Sequence, residues 1–143
     1  MVLPRPATAP WMDTATRRLR ILLVEDDAVL STVLAELLAA LGHDVCGIAT
    51  TEVEAIAAAL RTIPDVMLVD ANLQAGSGMS AMSAILRQTV IPHIYMTGRS
   101  RLAVPANATV LQKPFDMAGL KRALDHVAGQ MARQGPEGAQ LPP

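Results

Sequence analysis

The chain is poor in residues that cross-link, stack or anchor. It holds one cysteine, Cys46, among 143 residues, so no internal disulfide forms and a reducing compartment fits. Its aromatics are Trp11, Tyr95 and Phe115 alone, so an interior must be filled with Ala, Val, Leu, Ile and Met. It has no basic block: 12 Lys and Arg stand against 13 Asp and Glu, for a net charge of -1. That argues against a nucleic-acid partner, which needs a clustered positive face. No apolar run approaches the roughly 18 residues of a membrane span, and "MVLPRPATAPWM" has no apolar stretch of the secretory kind. These absences together predict a cytoplasmic protein with neither membrane nor nucleic acid as partner.

What is abundant is aliphatic. Apolar residues make up 51% of the chain, enough for one domain with a real core. Proline and glycine gather at the ends, at Pro4, Pro6 and Pro10 and again at Gly135, Pro136, Gly138, Pro142 and Pro143. Residues 1–18 and 132–143 are therefore read as flexible tails around a domain at 19–131. Trp11, in the first tail, is either a stray aromatic or part of a small docking motif.

Between the tails, short apolar runs alternate with helical patterns. Runs at Arg20–Val24, Asp44–Ala49, Asp65–Val69, Pro92–Met96 and Thr109–Gln112 suit strands. Val29, Val33, Leu37 and Leu41, with Leu30, Leu34 and Leu38 beside them, predict a helix over 28–41 with a wide apolar stripe and Gly42 as its stop. Thr51 and Glu54 form a capping box for a helix that ends before Pro64. A short helix over 79–88 turns Met79, Met82, Ile85 and Leu86 inward. Asp116 caps a last helix that runs to about Arg133, with Leu120, Ala123, Leu124 and Val127 on its apolar face. The stretch Thr97–Ala108 is broken by Pro105 and holds at most a brief or irregular helix. Strands alternating with helices build a parallel sheet covered on both faces, whose chemistry gathers at the carboxyl ends of the strands.

The residues at those ends are polar after wholly apolar runs. The first strand ends in Glu25, Asp26 and Asp27, the third in Asp70, the fourth in Thr97 and the fifth in Lys113. Converging carboxylates repel unless a cation offsets them. Hard oxygen ligands on a small site suit Mg²⁺, which takes one or two carboxylates and keeps several waters. A lysine and a hydroxyl opposite the acids suit a phosphoryl group, and a carboxylate between them can act as its nucleophile.

The segments "ILLVEDD", "VMLVDAN", "IYMTG" and "LQKPF" resemble, in this order, the receiver domain of bacterial two-component response regulators. Their spacing agrees: 44 residues from Asp26 to Asp70, 27 more to Thr97 and 16 more to Lys113. The resemblance implies a doubly wound five-stranded parallel sheet in the order 2-1-3-4-5, flavodoxin-like, with an irregular or short fourth helix. It implies that Asp70 is the phospho-acceptor and that Mg²⁺ is held by Glu25, Asp26, Asp70 and the backbone carbonyl of Asn72. Thr97 and Lys113 are then the hydroxyl and the ammonium that meet the phosphoryl group. Pro114 follows a cis bond, and Asp27 stays outside the metal's coordination.

By the same resemblance the donor is a phosphohistidine on a histidine kinase or a histidine phosphotransfer protein. The downstream protein partner is unknown. The expected function is that of a stand-alone, output-less regulator that signals through protein contacts or acts as a phosphate sink, and not that of an enzyme turning over a small substrate. Its usual partner surface is the face of the fourth-helix region, fifth strand and last helix.

The chain departs from the family where many receivers carry a switching aromatic three residues before the lysine: here that position is Val110. Tyr95, two before Thr97, resembles instead a subgroup with an aromatic-x-Thr-Gly motif on the fourth strand, in which the segment after Gly98 would be reshaped by signalling. Tyr95 is either part of that switch or an ordinary core aromatic. Arg99 and Asn72 flank the expected path of attacking water, although Arg99 is equally readable as a solvated loop charge. His43, His93 and His126 have no metal spacing, and "GSG" at 76–78 reads as turn residues. The alternatives are a receiver-like interaction module that is never phosphorylated, a flavodoxin-like cofactor binder and an aspartate-based phosphohydrolase. The acids of "EDDAVL" disfavour the cofactor binder, and Asn72 in place of a second aspartate disfavours the hydrolase.

Overall fold

The computed structural model describes residues 17–98 and 104–133. Trp11, Arg99 and most of each expected tail lie outside the described residues. Five strands, β1 (Arg20–Val24), β2 (Asp44–Ala49), β3 (Val66–Asp70), β4 (His93–Thr97) and β5 (Val110–Gln112), form one sheet in the order β2-β1-β3-β4-β5 with every pairing parallel. Among the described residues four helices accompany them: α1 (Ala28–Ala40), α2 (Glu52–Thr62), α3 (Gly78–Leu86) and α4 (Met117–Arg133). This is the doubly wound architecture that the alternation of elements predicts. Between β4 and β5 the described residues, 98 and 104–109, hold turns and bends and no helix.

Local chemistry sets most boundaries. Thr51 accepts from the Glu54 N–H at 3.1 Å and starts α2. Glu54 reaches back one residue further than a standard capping box, to the Thr50 N–H and hydroxyl at 2.8 and 2.9 Å. The left-handed Ile63 ends α2 one residue before Pro64, and Asp116 caps α4 through the Gly119 N–H at 2.8 Å. Asp27, read from sequence only as a bystander, is the N-cap of α1: one oxygen accepts from the Val29 and Leu30 N–H groups at 2.9 and 3.1 Å. The Lys113–Pro114 bond is cis.

Two apolar layers sandwich the sheet. One joins Leu22, Val24, Met67, Val69 and Tyr95 to α2 and α3. The other joins Ile21, Leu23, Leu68, Ile94 and Met96 to α1 and α4. Alternate residues of each strand thus serve opposite layers, so these runs carry no polar residue inside. Two expectations about helix faces hold only in part, Met82 and Ile85 of α3 being buried as expected. In α1, Leu34 and Leu38 are buried while Val29 is 74% exposed and Val33 is also open to water; a helix apolar nearly all round does not announce its inward side. In α3, Ala81 is buried and Leu86 is exposed.

Tyr95 is a core residue. It stands opposite Val110 in the β4–β5 register, and His93 meets its ring edge-on at 5.3 Å and 82°. An aromatic ring therefore stands beside Val110, on the neighbouring strand.

Candidate functional site

The parallel register brings strand ends together. Beyond β1, the Glu25 N–H continues the ladder to the Ala49 carbonyl at 2.9 Å, and beyond β3 the Ala71 N–H continues it to Met96 at 2.9 Å. The Lys113 N–H donates to the Thr97 carbonyl at 2.7 Å, which links the ends of β4 and β5. Glu25, Asp70 and Thr97 are therefore set by sheet backbone, at 1%, 6% and 1% exposure. Asp26 is partly exposed.

Carboxylate oxygens of Glu25, Asp26 and Asp70 lie within 4.8 Å of one another. Lys113 Nζ donates to Glu25 Oε1 and to Asp70 Oδ2, both at 3.1 Å. Backbone N–H groups meet three further oxygens of the cluster. Glu25 Oε2 accepts from the Asp27 N–H at 3.0 Å, Asp70 Oδ1 from the Asn72 N–H at 2.9 Å, and Asp26 Oδ2 from the Gln74 N–H at 2.5 Å. Three acids thus face one lysine, a local excess of two negative charges when all are ionised.

The electrostatics follow. Burial pushes the Glu25 carboxyl above its ordinary value, and the nearby Asp70 charge adds to this; the Asp27 N–H and Lys113 pull the other way without prevailing. Burial alone would lower Lys113, but its hydrogen bond to Glu25 and the charge of Asp70 outweigh that and hold the ammonium above its ordinary value. A cluster that is oxygen-only, over-negative and within reach of a single ion fits a small hard dication. Glu25, Asp26 and Asp70 are the side chains that could hold one.

The sequence reading thus picked out four residues that meet: Glu25, Asp26, Asp70 and Lys113. Thr97 is buried at the adjoining strand end, and its backbone touches Lys113. Asn72 reaches the cluster through its N–H to Asp70. Two contributors escaped that reading. Gly78 opens α3 against the end of β3, where a Cβ would collide with the Asp70 carbonyl oxygen. Glu52 ties the loop after Asp70 to α2, accepting from the Ser77 N–H at 3.1 Å and the Ser80 hydroxyl at 2.6 Å. The lone signal for Gly78 was "GSG"; nothing local marked Glu52.

Comparison with known proteins agrees with this geometry. Residues 21–125 match the response regulator receiver domain. The phyllosphere-induced regulator PhyR of Methylorubrum extorquens is 31% identical over 110 residues, which cover 73% of this chain and 41% of that protein; the chain therefore spans less than half of that relative. The PhyR response regulator REC domain of Erythrobacter litoralis, solved by solution NMR, superposes with a TM-score of 0.70 at 28% identity, covering 77% of this chain and 89% of that one. The receiver domain of the sensor histidine kinase PA1611 from Pseudomonas aeruginosa superposes with a TM-score of 0.69 at 31% identity, covering 78% and 98%. That structure has a magnesium ion coordinated in its active-site cleft. With a match that spans the sheet from β1 into α4 and includes every member of the acid–lysine cluster, the chain belongs to the response regulator receiver domain family.

Proposed function

We propose that the protein accepts a phosphoryl group on Asp70 from a phosphohistidine of a sensor kinase or a histidine phosphotransfer protein. The observation that carries this is Lys113 Nζ, bonded to both Glu25 and Asp70 at 3.1 Å beside an acid cluster compact enough for one ion. In the transfer, the phosphorus–nitrogen bond of the donor breaks while a phosphorus–oxygen bond to the Asp70 carboxylate forms. The imidazole nitrogen keeps the electron pair. Each Asp70 oxygen has one protein donor, which orients the carboxylate and leaves it lone pairs for attack. Lys113 offsets charge on the phosphoryl oxygens, and the Thr97 hydroxyl donates to one of them. Glu25, Asp26, Asp70 and the Asn72 carbonyl would hold Mg²⁺, which when bound would further neutralise that charge. The protein is then a stoichiometric acceptor and not a turnover enzyme on a small substrate.

A protein donor needs a landing surface beside this crevice. A groove of about 480 Å³ adjoins Lys113, lined by Leu30, Val33, Leu34, Leu37, Pro114 and Phe115. Its apolar walls and the exposed valines of α1 suit a helical partner. Output by contact, from the face of β5, α4 and the segment before β5, completes the reading.

The test is incubation with acetyl phosphate and Mg²⁺ followed by intact-mass analysis. The wild type gains one phosphoryl group, and chelation of Mg²⁺ or Asp70→Asn removes the gain. Equal labelling of Asp70→Asn refutes the assignment. A protein that is neither labelled nor shifted in its amide spectrum by beryllofluoride with Mg²⁺ is instead a receiver-like interaction module that is never phosphorylated.

A further inference from the structure

The segment after Asp70 is suspended between two supports. On one side it hangs from the acid cluster: the Asn72 N–H binds Asp70 and the Gln74 N–H binds Asp26. On the other side it is clamped by Glu52, the first residue of α2. The Glu52 N–H donates to the Ala75 carbonyl at 3.1 Å. Its Oε1 accepts from the Ser77 N–H at 3.1 Å, and its Oε2 accepts from the Ser80 hydroxyl at 2.6 Å. Gly76, at φ +91°, lies so close against this side chain that a Cβ would strike the carboxylate. One acidic residue thereby holds both the middle of the loop and the start of α3. These donors also keep the Glu52 carboxyl below its ordinary range, the Ser80 hydroxyl first and the Ser77 N–H second.

We propose that Glu52 is a positioning residue of the site: it fixes residues 71–77 so that Asn72 and Gln74 are already seated on Asp70 and Asp26 when Mg²⁺ arrives. This rests on the reading of the acids as a Mg²⁺ site. Without the clamp, the loop must be ordered at the moment of binding, and that entropy is taken from the affinity.

The test is a Mg²⁺ titration followed by amide spectra on the whole chain, with acetyl phosphate labelling at saturating Mg²⁺ alongside. Glu52→Ala weakens Mg²⁺ binding by about tenfold while labelling at saturation stays near wild type. Glu52→Gln, which keeps an acceptor for Ser77, restores most of the affinity. Ser80→Ala, which removes a single bond of the clamp, falls between wild type and Glu52→Ala and stands in for it if that variant does not fold. Wild-type affinity in folded Glu52→Ala or in Ser80→Ala overturns the proposal and leaves the Mg²⁺ site intact. A wild-type protein that binds no Mg²⁺ overturns both.

Discussion

The two ends of the sheet use the same residue types to opposite effect. At the amino end, charges are matched and wet. Arg18 grips Asp44 through two bonds of 2.7 Å with its side chain 71% exposed. Asp65 receives the Arg20 N–H at 2.8 Å and lies 3.8 Å from Arg17. At the carboxyl end, three acids cluster around one lysine, which bonds the two buried ones, Glu25 and Asp70. Matched surface pairs contribute little because water solvates the separated charges almost as well. A buried imbalance is a standing cost, and such costs persist where a ligand relieves them. The amino end closes strands; the carboxyl end carries unmatched negative charge.

That contrast can be broken by experiment. Lys113→Met has the largest expected effect. It removes the cation between Glu25 and Asp70 and lowers the metal-free stability by on the order of 2 kcal/mol, read from urea denaturation midpoints; added Mg²⁺ recovers part of the loss. An unchanged midpoint would mean that the cluster is not under charge stress. Asp27→Ala comes next. It costs about 1 kcal/mol as a lost helix cap, while Mg²⁺ affinity holds. If affinity collapses instead, the third acid is a ligand and the division of labour drawn here is wrong.

The third experiment concerns His43 at the amino end. The Leu19 N–H donates to its Nδ1 at 3.1 Å, and burial holds the imidazole below its ordinary value, with Asp125 and Asp44 only partly opposing this. The unfolded chain takes up a proton at higher pH than the folded one. The stability this residue contributes is therefore complete above the ordinary histidine range, and it declines as pH falls through that range toward the depressed folded value. Denaturation midpoints at pH 7.5 and 5.5 should converge in His43→Asn; an unaltered gap would clear His43 of the effect. The smallest expected change is from Arg18→Ala, which leaves the midpoint where it was. A clear drop would show that the wet end is not idle.

Much of this was legible in the chain. Strand ends, caps and the four residues that meet are local signals: an apolar run stops, and a polar residue with suitable chemistry follows. Asp116, Thr51 and Gly42 announce their roles through immediate neighbours. Asp27 did not, because in a run of three acids the cap and the ligands look alike until the helix axis is known. Val29 and Val33 were assigned to a buried stripe for a related reason, since α1 offers leucines on several sides and packing against the sheet decides among them. Glu52 was out of reach altogether, and for Gly78 the "GSG" run marked a turn without its cause. The clamp joins residues 25 and 28 positions apart, and the space denied to Gly78 is taken by a strand that only the fold brings there.

Tyr95 and Val110 face one another across neighbouring strands, so the bulk at that spot belongs to the sheet and not to either column of sequence. A comparison that scores only the residue three before the lysine would judge this chain to be missing a part. Counted by volume in space, an aromatic ring stands beside that position all the same, one strand over and buried in the core.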